Sequence, residues 1–347
     1  MIRKLVAIFS LLFLISCEQT DPGPVNTGSQ STHYGAKGVF LMNEGNFTRG
    51  NGSVSFYSID SSKIYNNIFL AANRRRPGDI PFSMLAGCDT IYVIVNNSGK
   101  IEMIDPATFV SVKTLAGLVS PRYLCRISGR KGYVSSLYSE QITIIDLKSL
   151  EITGNIYIGS STEMMVSTPS KVYAASWSGG RKITIIDPVT DMVINSINVV
   201  LEPESMVPDK NGLLWVLCSG GYMKEETPAL IALDTETDMI AFSIAFPSSS
   251  YPSSLSINKG GDTLYYLDGD VFRMSISDRE LPQLPFIRSE GRLFYKVEAG
   301  AGNGEIFVTD ARDYQHNGYL LKYSTSGELL DIEEAGIIPG AMTFMTK

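Results

Sequence analysis

Aromatic rings recur at short intervals in the polar stretches of this chain. Tyr123 sits in SPRY, Tyr138 in SLYSEQ, Trp177 in SWSGGR, Tyr222 in SGGYMKEETP, Tyr251 in SSSYPS and Tyr314 in DARDYQHNG. Beside them run side chains that donate and accept hydrogen bonds: Asn43, Glu44 and Asn46 next to Phe47 in NEGNFTRGNG, then Asn97, Arg122, Asp310 and Arg312. Arg75 is the centre of the only basic run, Arg74 to Arg76. Rings that stack, fringed by amide, carboxylate and guanidinium groups, suit a wide surface that holds a flat ligand. Each ring taken singly could equally pack its own loop. The near-regular spacing is what points to a shared surface, and the chemistry it offers is recognition.

Bond-making chemistry finds little to work with. The only histidines are His33 and His316, so neither a His-based triad nor a multi-His metal site can be assembled. SGGRK (178–182) and NGSVSF (51–56) carry turn glycines, since neither joins a strand to a helix as a phosphate cradle must. Strand alternation puts Glu202 and Glu204 on one face without fixing a catalytic separation. The acids of DGD (268–270), and Asp310 with Asp313, lack a loop spacing enough oxygens for calcium. The expectation is a protein that is not an enzyme and needs no cofactor or metal. With a formal charge of −7, it also lacks the basic face that nucleic acid requires.

The elements that must position these loops are short strands. ITIID ends at Asp146 and again at Asp187, and related segments end at Asp60, Asp105 and Asp234, with weaker copies at 271–275 and 320–324. A second apolar segment precedes each: 39–45, 91–99, 132–139, 172–180, 214–221, 264–270 and 306–313. With the strands that follow, this makes four short strands per roughly 40 to 50 residues, the period of a β-propeller blade. The predicted fold is all-β, a seven-bladed propeller. A pair of β-sandwiches is the competing architecture, for which the seven-fold count would be coincidence. PGAMTFM (339–345) reads as an innermost strand with no second strand after it, so it should complete the first blade and close the ring.

The first 17 residues, MIRKLVAIFSLLFLISC, have a basic start, an apolar run too short to span a bilayer, and a terminal Cys17. They read as a leader, removal of which takes the charge to −9, and residues 18–35 as a Pro-, Gly- and Ser-rich tether. The folded domain should occupy 36–347. Cys88, Cys125 and Cys218 are spread through apolar segments and read as buried small hydrophobes, not as a disulfide framework.

Two resemblances bear on function. LISC resembles the lipobox of bacterial lipoproteins, which implies lipidation of Cys17 and attachment to a membrane through the lipid alone. IYVIVNNSGKIEMIDPAT resembles the repeat of YVTN and surface-layer propellers over essentially residues 38–347, and this repeat implies a fold. The opening GVFLMNEGNFTRGNGSVSFYSID (38–60) is similar to the start of cell-surface propeller lipoproteins of the BtuG type. That implies an outer-membrane protein, facing the exterior, that binds a corrinoid (cobalamin) on its loop face and passes it to a TonB-dependent transporter. The alternative is a surface propeller that holds a glycan or a protein partner, as an adhesin or accessory scaffold would.

Overall fold

The computed structural model describes residues 37–345 except Cys88 and residues 301–303. The segments expected to be a leader (1–17, with Cys17 as the expected lipidation site) and a tether (18–35), and Cys88, therefore lie outside the described residues. Six four-stranded antiparallel sheets and one three-stranded sheet make up the domain. The innermost strands, Pro339–Met345 in blade 1 and Pro81–Ala86, Pro121–Arg126, Thr162–Ser167, Pro203–Pro208, Ser253–Ile257 and Phe294–Ala299 in blades 2 to 7, each pack against the next, and the last returns to the first. This is the predicted seven-bladed propeller. The ring closes as expected: Pro339–Met345 pairs antiparallel with Gly38–Asn43, Gly38 opposite Met345 and Asn43 opposite Pro339.

Each blade needs two apolar faces, which is why its second strand reads as a continuous hydrophobic run. All five residues of Ile91–Val95 and all five of Val172–Ser176 are buried. Alternation then divides the side chains between neighbours. In blade 4, Val172 and Ala174 pack with Tyr133 and Ile142 of blade 3, whereas Tyr173 and Ala175 pack with Leu214 and Val216 of blade 5.

The repeated Asp that reveals the period is structural. Asp105, Asp146, Asp187 and Asp234 each accept the backbone N–H two residues on, at 2.7, 2.8, 2.8 and 2.8 Å. Each thereby folds the hairpin between the third and fourth strands as an Asx turn. Those turns also lock blades together: Lys131 of blade 3 reaches Asp191 at 2.8 Å, and Lys171 of blade 4 reaches Asp238 at 2.8 Å.

Two departures break the regularity. Blade 6 lacks a fourth strand, because residues 276–293 contain Pro282 and Pro285, which cannot donate to a ladder, and make only an isolated bridge from Ile287 to Val271. In blade 1 the outer strand shrinks to Lys63–Tyr65 and is followed by a six-residue helix, Ile68–Asn73. Phe69 of that helix meets Phe109 edge-on, and Phe109 stacks on Phe40, filling the gap between blades 1 and 2. Cys218 is fully buried, as expected, and Cys125 is only partly buried; both are free thiols.

Candidate functional site

At one end of the ring, the first residue of every innermost strand pairs with the last part of the second strand: Pro81 with Val95, Pro121 with Ser136, Pro203 with Cys218, Phe294 with Asp310. Immediately after that pair the register slips, and it does so in all seven blades. Two residues of the inner strand then oppose one of its partner, a β-bulge that re-aims a side chain. The residues at the bulge are Phe82, Arg122, Glu163, Glu204, Ser254, Tyr295 and Gly340. In four blades the residue leading into the inner strand, Ile80, Ser120, Glu202 or Ile338, is left-handed (φ 58, 40, 56 and 52°) and directly precedes a proline. For β-branched isoleucine that conformation is costly, and costly backbone of this kind gathers at functional sites.

The bulge side chains meet across blades. Arg122 of blade 3 holds Glu163 of blade 4 through two bonds, Nε to Oε2 at 2.8 Å and Nη2 to Oε1 at 2.6 Å. Its guanidinium also lies 3.4 Å above the Phe82 ring of blade 2, and Tyr123 meets that ring edge-on. Burial works against the Arg122 charge, but Glu163 outweighs it and raises the guanidinium above its usual range. Lys296 of blade 7 lies 3.6 Å from Glu204 of blade 5, whose carboxylate also accepts the Ser254 N–H at 3.0 Å. Burial opposes the Lys296 charge too, and Glu204 with the other mouth acids more than compensates. In blade 1 the bulge residue is glycine, and the Glu44 carboxylate from the end of the neighbouring strand fills its place. Tyr295 donates to Glu44 Oε1 at 3.3 Å, and burial raises the Glu44 pKa although Lys296 and Arg122 oppose the rise. Serine side chains knit the inner strands together below: Leu255 N–H to Ser205 at 3.0 Å, Val297 N–H to Ser254 at 2.9 Å, Ala299 N–H to Ser256 at 3.1 Å.

Around this mouth stands a rim. Phe47, Tyr138, Tyr222 and Tyr251 are 67, 76, 85 and 63% exposed, all in loops at the bulged end. Trp177, half-buried, is tied to blade 4 by its N–H to Ser161 O at 3.3 Å. Lys224 lies 3.6 Å over the Tyr251 ring. Tyr314 meets Tyr295 edge-on, and its carbonyl accepts from Asn46 at 2.7 Å, bridging the loops of blades 1 and 7.

The structure thus brings together Glu44, Arg122, Tyr123 and Tyr314 at the mouth, with Phe47, Tyr138, Trp177, Tyr222 and Tyr251 around it. Of the other sequence candidates, Asn43, Arg75, Asn97 and Asp310 have partners elsewhere. Asn43 is fully buried inside blade 1, donating to Ser53 and Ser55 and accepting from Gly336. Arg75 turns to Glu102, with both nitrogens at 2.9 Å, away from the mouth. Asn97 bonds Asp79. Asp310, 3% exposed, takes the N–H groups of Leu293 and Arg312 and the Arg292 side chain, and Arg312 itself is exposed with φ 56°. Glu202 and Glu204 do not share a face. Glu202 accepts from Gly179 and Ser219 ahead of the strand, and the bulge turns Glu204 toward Lys296.

Phe82, Glu163, Tyr295 and Lys296 were not singled out in the sequence. Their common signal is position, the second or third residue of an inner strand, and only Phe82 directly follows a proline. It is hard to see because the residue type changes from blade to blade. Among the described residues no group of three or more His, Cys, Asp or Glu side chains could hold a metal ion.

No curated protein matches this chain. Among solved structures it is similar to a quinonprotein alcohol dehydrogenase-like protein from Bacteroides thetaiotaomicron, with 15% identity, a TM-score of 0.70, and coverage of 90% of this chain and 79% of that one. It is also similar to the periplasmic gluconolactonase of Pseudomonas aeruginosa, with 12% identity, a TM-score of 0.68, and coverage of 90% and 99%. At those identities the likeness concerns the propeller fold alone. Residues 37–316 match the family described as Domain of unknown function (DUF5074), and the chain belongs to that family.

Proposed function

We propose that this propeller is a capture protein that binds a corrinoid across its bulged mouth. In this reading it is displayed at the outer membrane by a lipid on Cys17 and delivers its cargo to a TonB-dependent transporter. The observation that carries the proposal is the gathering of exposed aromatic side chains at the one end where all seven inner strands bulge and where four of them present the charged groups Arg122, Glu163, Glu204 and Lys296. A macrocycle with a flat face and a fringe of amides would stack on the rim and hydrogen-bond to the mouth. The opening segment 38–60, whose likeness to BtuG-type proteins suggested a corrinoid, supplies Glu44 to the mouth and Phe47 to the rim.

The proposal includes binding without catalysis. His316, the one histidine among the described residues, is paired with Asp313 at 2.7 Å in an exposed loop. Among the described residues the acids of the mouth pair with Arg122, Lys296 and Tyr295.

The test is co-migration of residues 18–347 with cyanocobalamin on a sizing column, followed at the corrin band and the protein band. One-to-one co-elution is the expected result. Elution of all colour with free ligand at micromolar concentration would overturn the corrinoid reading and put a glycan or protein partner first.

A further inference from the structure

We infer that Glu44 is a specificity-determining residue, which makes the mouth accept ligands that present N–H donors and reject ligands that present an anion there. The inference rests on the corrinoid reading and says which chemistry at the ligand's fringe the mouth recognises.

The argument is one of occupancy. Arg122 is a cation of the mouth, yet its guanidinium is already committed, bidentate to Glu163 at 2.8 and 2.6 Å and stacked 3.4 Å from Phe82. Lys296 is shared between Glu204 at 3.6 Å and the general field of the other acids. Glu44 differs. A carboxylate has room for about four hydrogen bonds, and among the described residues Glu44 takes one, from Tyr295 at a weak 3.3 Å. It is half-buried, so its remaining lone pairs are open to whatever enters the mouth. Arg122 is matched by Glu163 and Lys296 by Glu204, which leaves Glu44, among the described residues, as the acid of the mouth with no cation at ion-pair distance. A ligand carboxamide would give Glu44 a charge-assisted bond, stronger than a neutral one. A ligand carboxylate in the same place would meet like charge in a poorly solvated setting.

The experiment compares two probes on residues 18–347: cyanocobalamin, and the monocarboxylic acids made from it by hydrolysing one peripheral amide. Both are titrated by absorbance and calorimetry at neutral pH against wild type and Glu44→Gln. The wild type should bind cyanocobalamin at least about tenfold more tightly than the monoacid whose carboxylate reaches Glu44. Added salt should narrow that gap. Glu44→Gln should shrink the gap to less than about threefold, since a neutral amide accepts either partner. Equal binding of all monoacids and cyanocobalamin by the wild type overturns the inference while leaving corrinoid capture intact, and so does an undiminished gap in Glu44→Gln. The wild-type comparison decides even if that variant fails to fold. Absence of binding by any probe defeats the corrinoid reading, and the inference with it.

Discussion

The carboxylate of Glu44 lies where a side chain on Gly340 would have to go: a Cβ built on that glycine collides with Glu44 Oε1. Gly340 has no left-handed backbone that would itself demand glycine. The three nearest atoms a Cβ would meet all belong to the flexible Glu44 side chain, so Gly340→Ala should cost only about 1 kcal/mol of stability, the low end for overpacking, and should weaken ligand binding by displacing Glu44. Combining it with Glu44→Ala removes the clash, so the double variant should recover most of the lost stability in urea denaturation. A double variant as unstable as Gly340→Ala alone would show that the two residues do not compete for the same space.

Arg75 offers the opposite case, a residue expected at the ligand that the fold uses elsewhere. Glu102 is wholly buried and receives Arg75, Lys100, Ser111 and Thr114. Burial alone would raise its pKa, but those four bonds outweigh it and hold the carboxyl at about 2, below the usual 4.5. Because the folded value is depressed, the stabilisation is present above about 4.5 and is lost as pH falls toward 2. Arg75→Met should lower stability by about 1–2 kcal/mol at neutral pH, a figure reduced for the partial exposure of the arginine. It should also shift acid unfolding to higher pH and leave ligand affinity unchanged. A tenfold loss of affinity with unaltered stability would return Arg75 to the binding site.

Glu298 has the reverse sign. Burial among the inner strands pushes its carboxyl up to about 7, with Ser256 and Lys296 only partly opposing. A folded value above the ordinary 4.5 means the native state binds the extra proton, so stability falls as pH rises from about 4.5 through 7. Glu298→Gln should match the wild type at pH 4 and melt at a higher temperature at pH 8. Parallel melting curves for the two proteins across that range would sink the assignment.

The blade count was legible because the hairpin Asp of the third strand must recur wherever an Asx turn folds, as at Asp146 and Asp187. Ring closure was legible for a related reason: Pro339–Met345 is an inner strand with no blade of its own, and Gly38–Asn43 is a second strand without a first. The mouth was only half legible. Trp177 stands out from loop composition, and Tyr123 from the SPRY stretch although it lies within the strand Pro121–Arg126; Glu163 and Tyr295 sit inside strands with no such cue, where alternation assigns them to a packed face. The bulge that turns them is a register slip, and pairing register is a tertiary property that local residue types leave open. Nothing near Arg75 in sequence announces that Glu102, 27 residues on, is a buried charge needing a partner. Blade 6 loses its fourth strand to Pro282 and Pro285, a local signal that runs against the four-strand period of the other blades.

Closure itself can be tested by ending the chain at Ile337. That removes Pro339–Met345 and leaves Gly38–Asn43 as a bare edge, six residues all buried in the intact ring. Phe40, Leu41 and Met42 would lose the cover that Met342 and Met345 help provide, and the unpaired backbone groups would have only water or another chain as partner. A ring is also more demanding than a linear array, because opening one blade loosens the packing of both neighbours, here blades 2 and 7. The truncated chain should lose its cooperative urea transition and aggregate at micromolar concentration. Single changes such as Met345→Ala should instead keep a cooperative transition with a loss of about 2–5 kcal/mol. Cooperative unfolding of the truncated chain at the wild-type midpoint would show that the ring does not depend on its last strand.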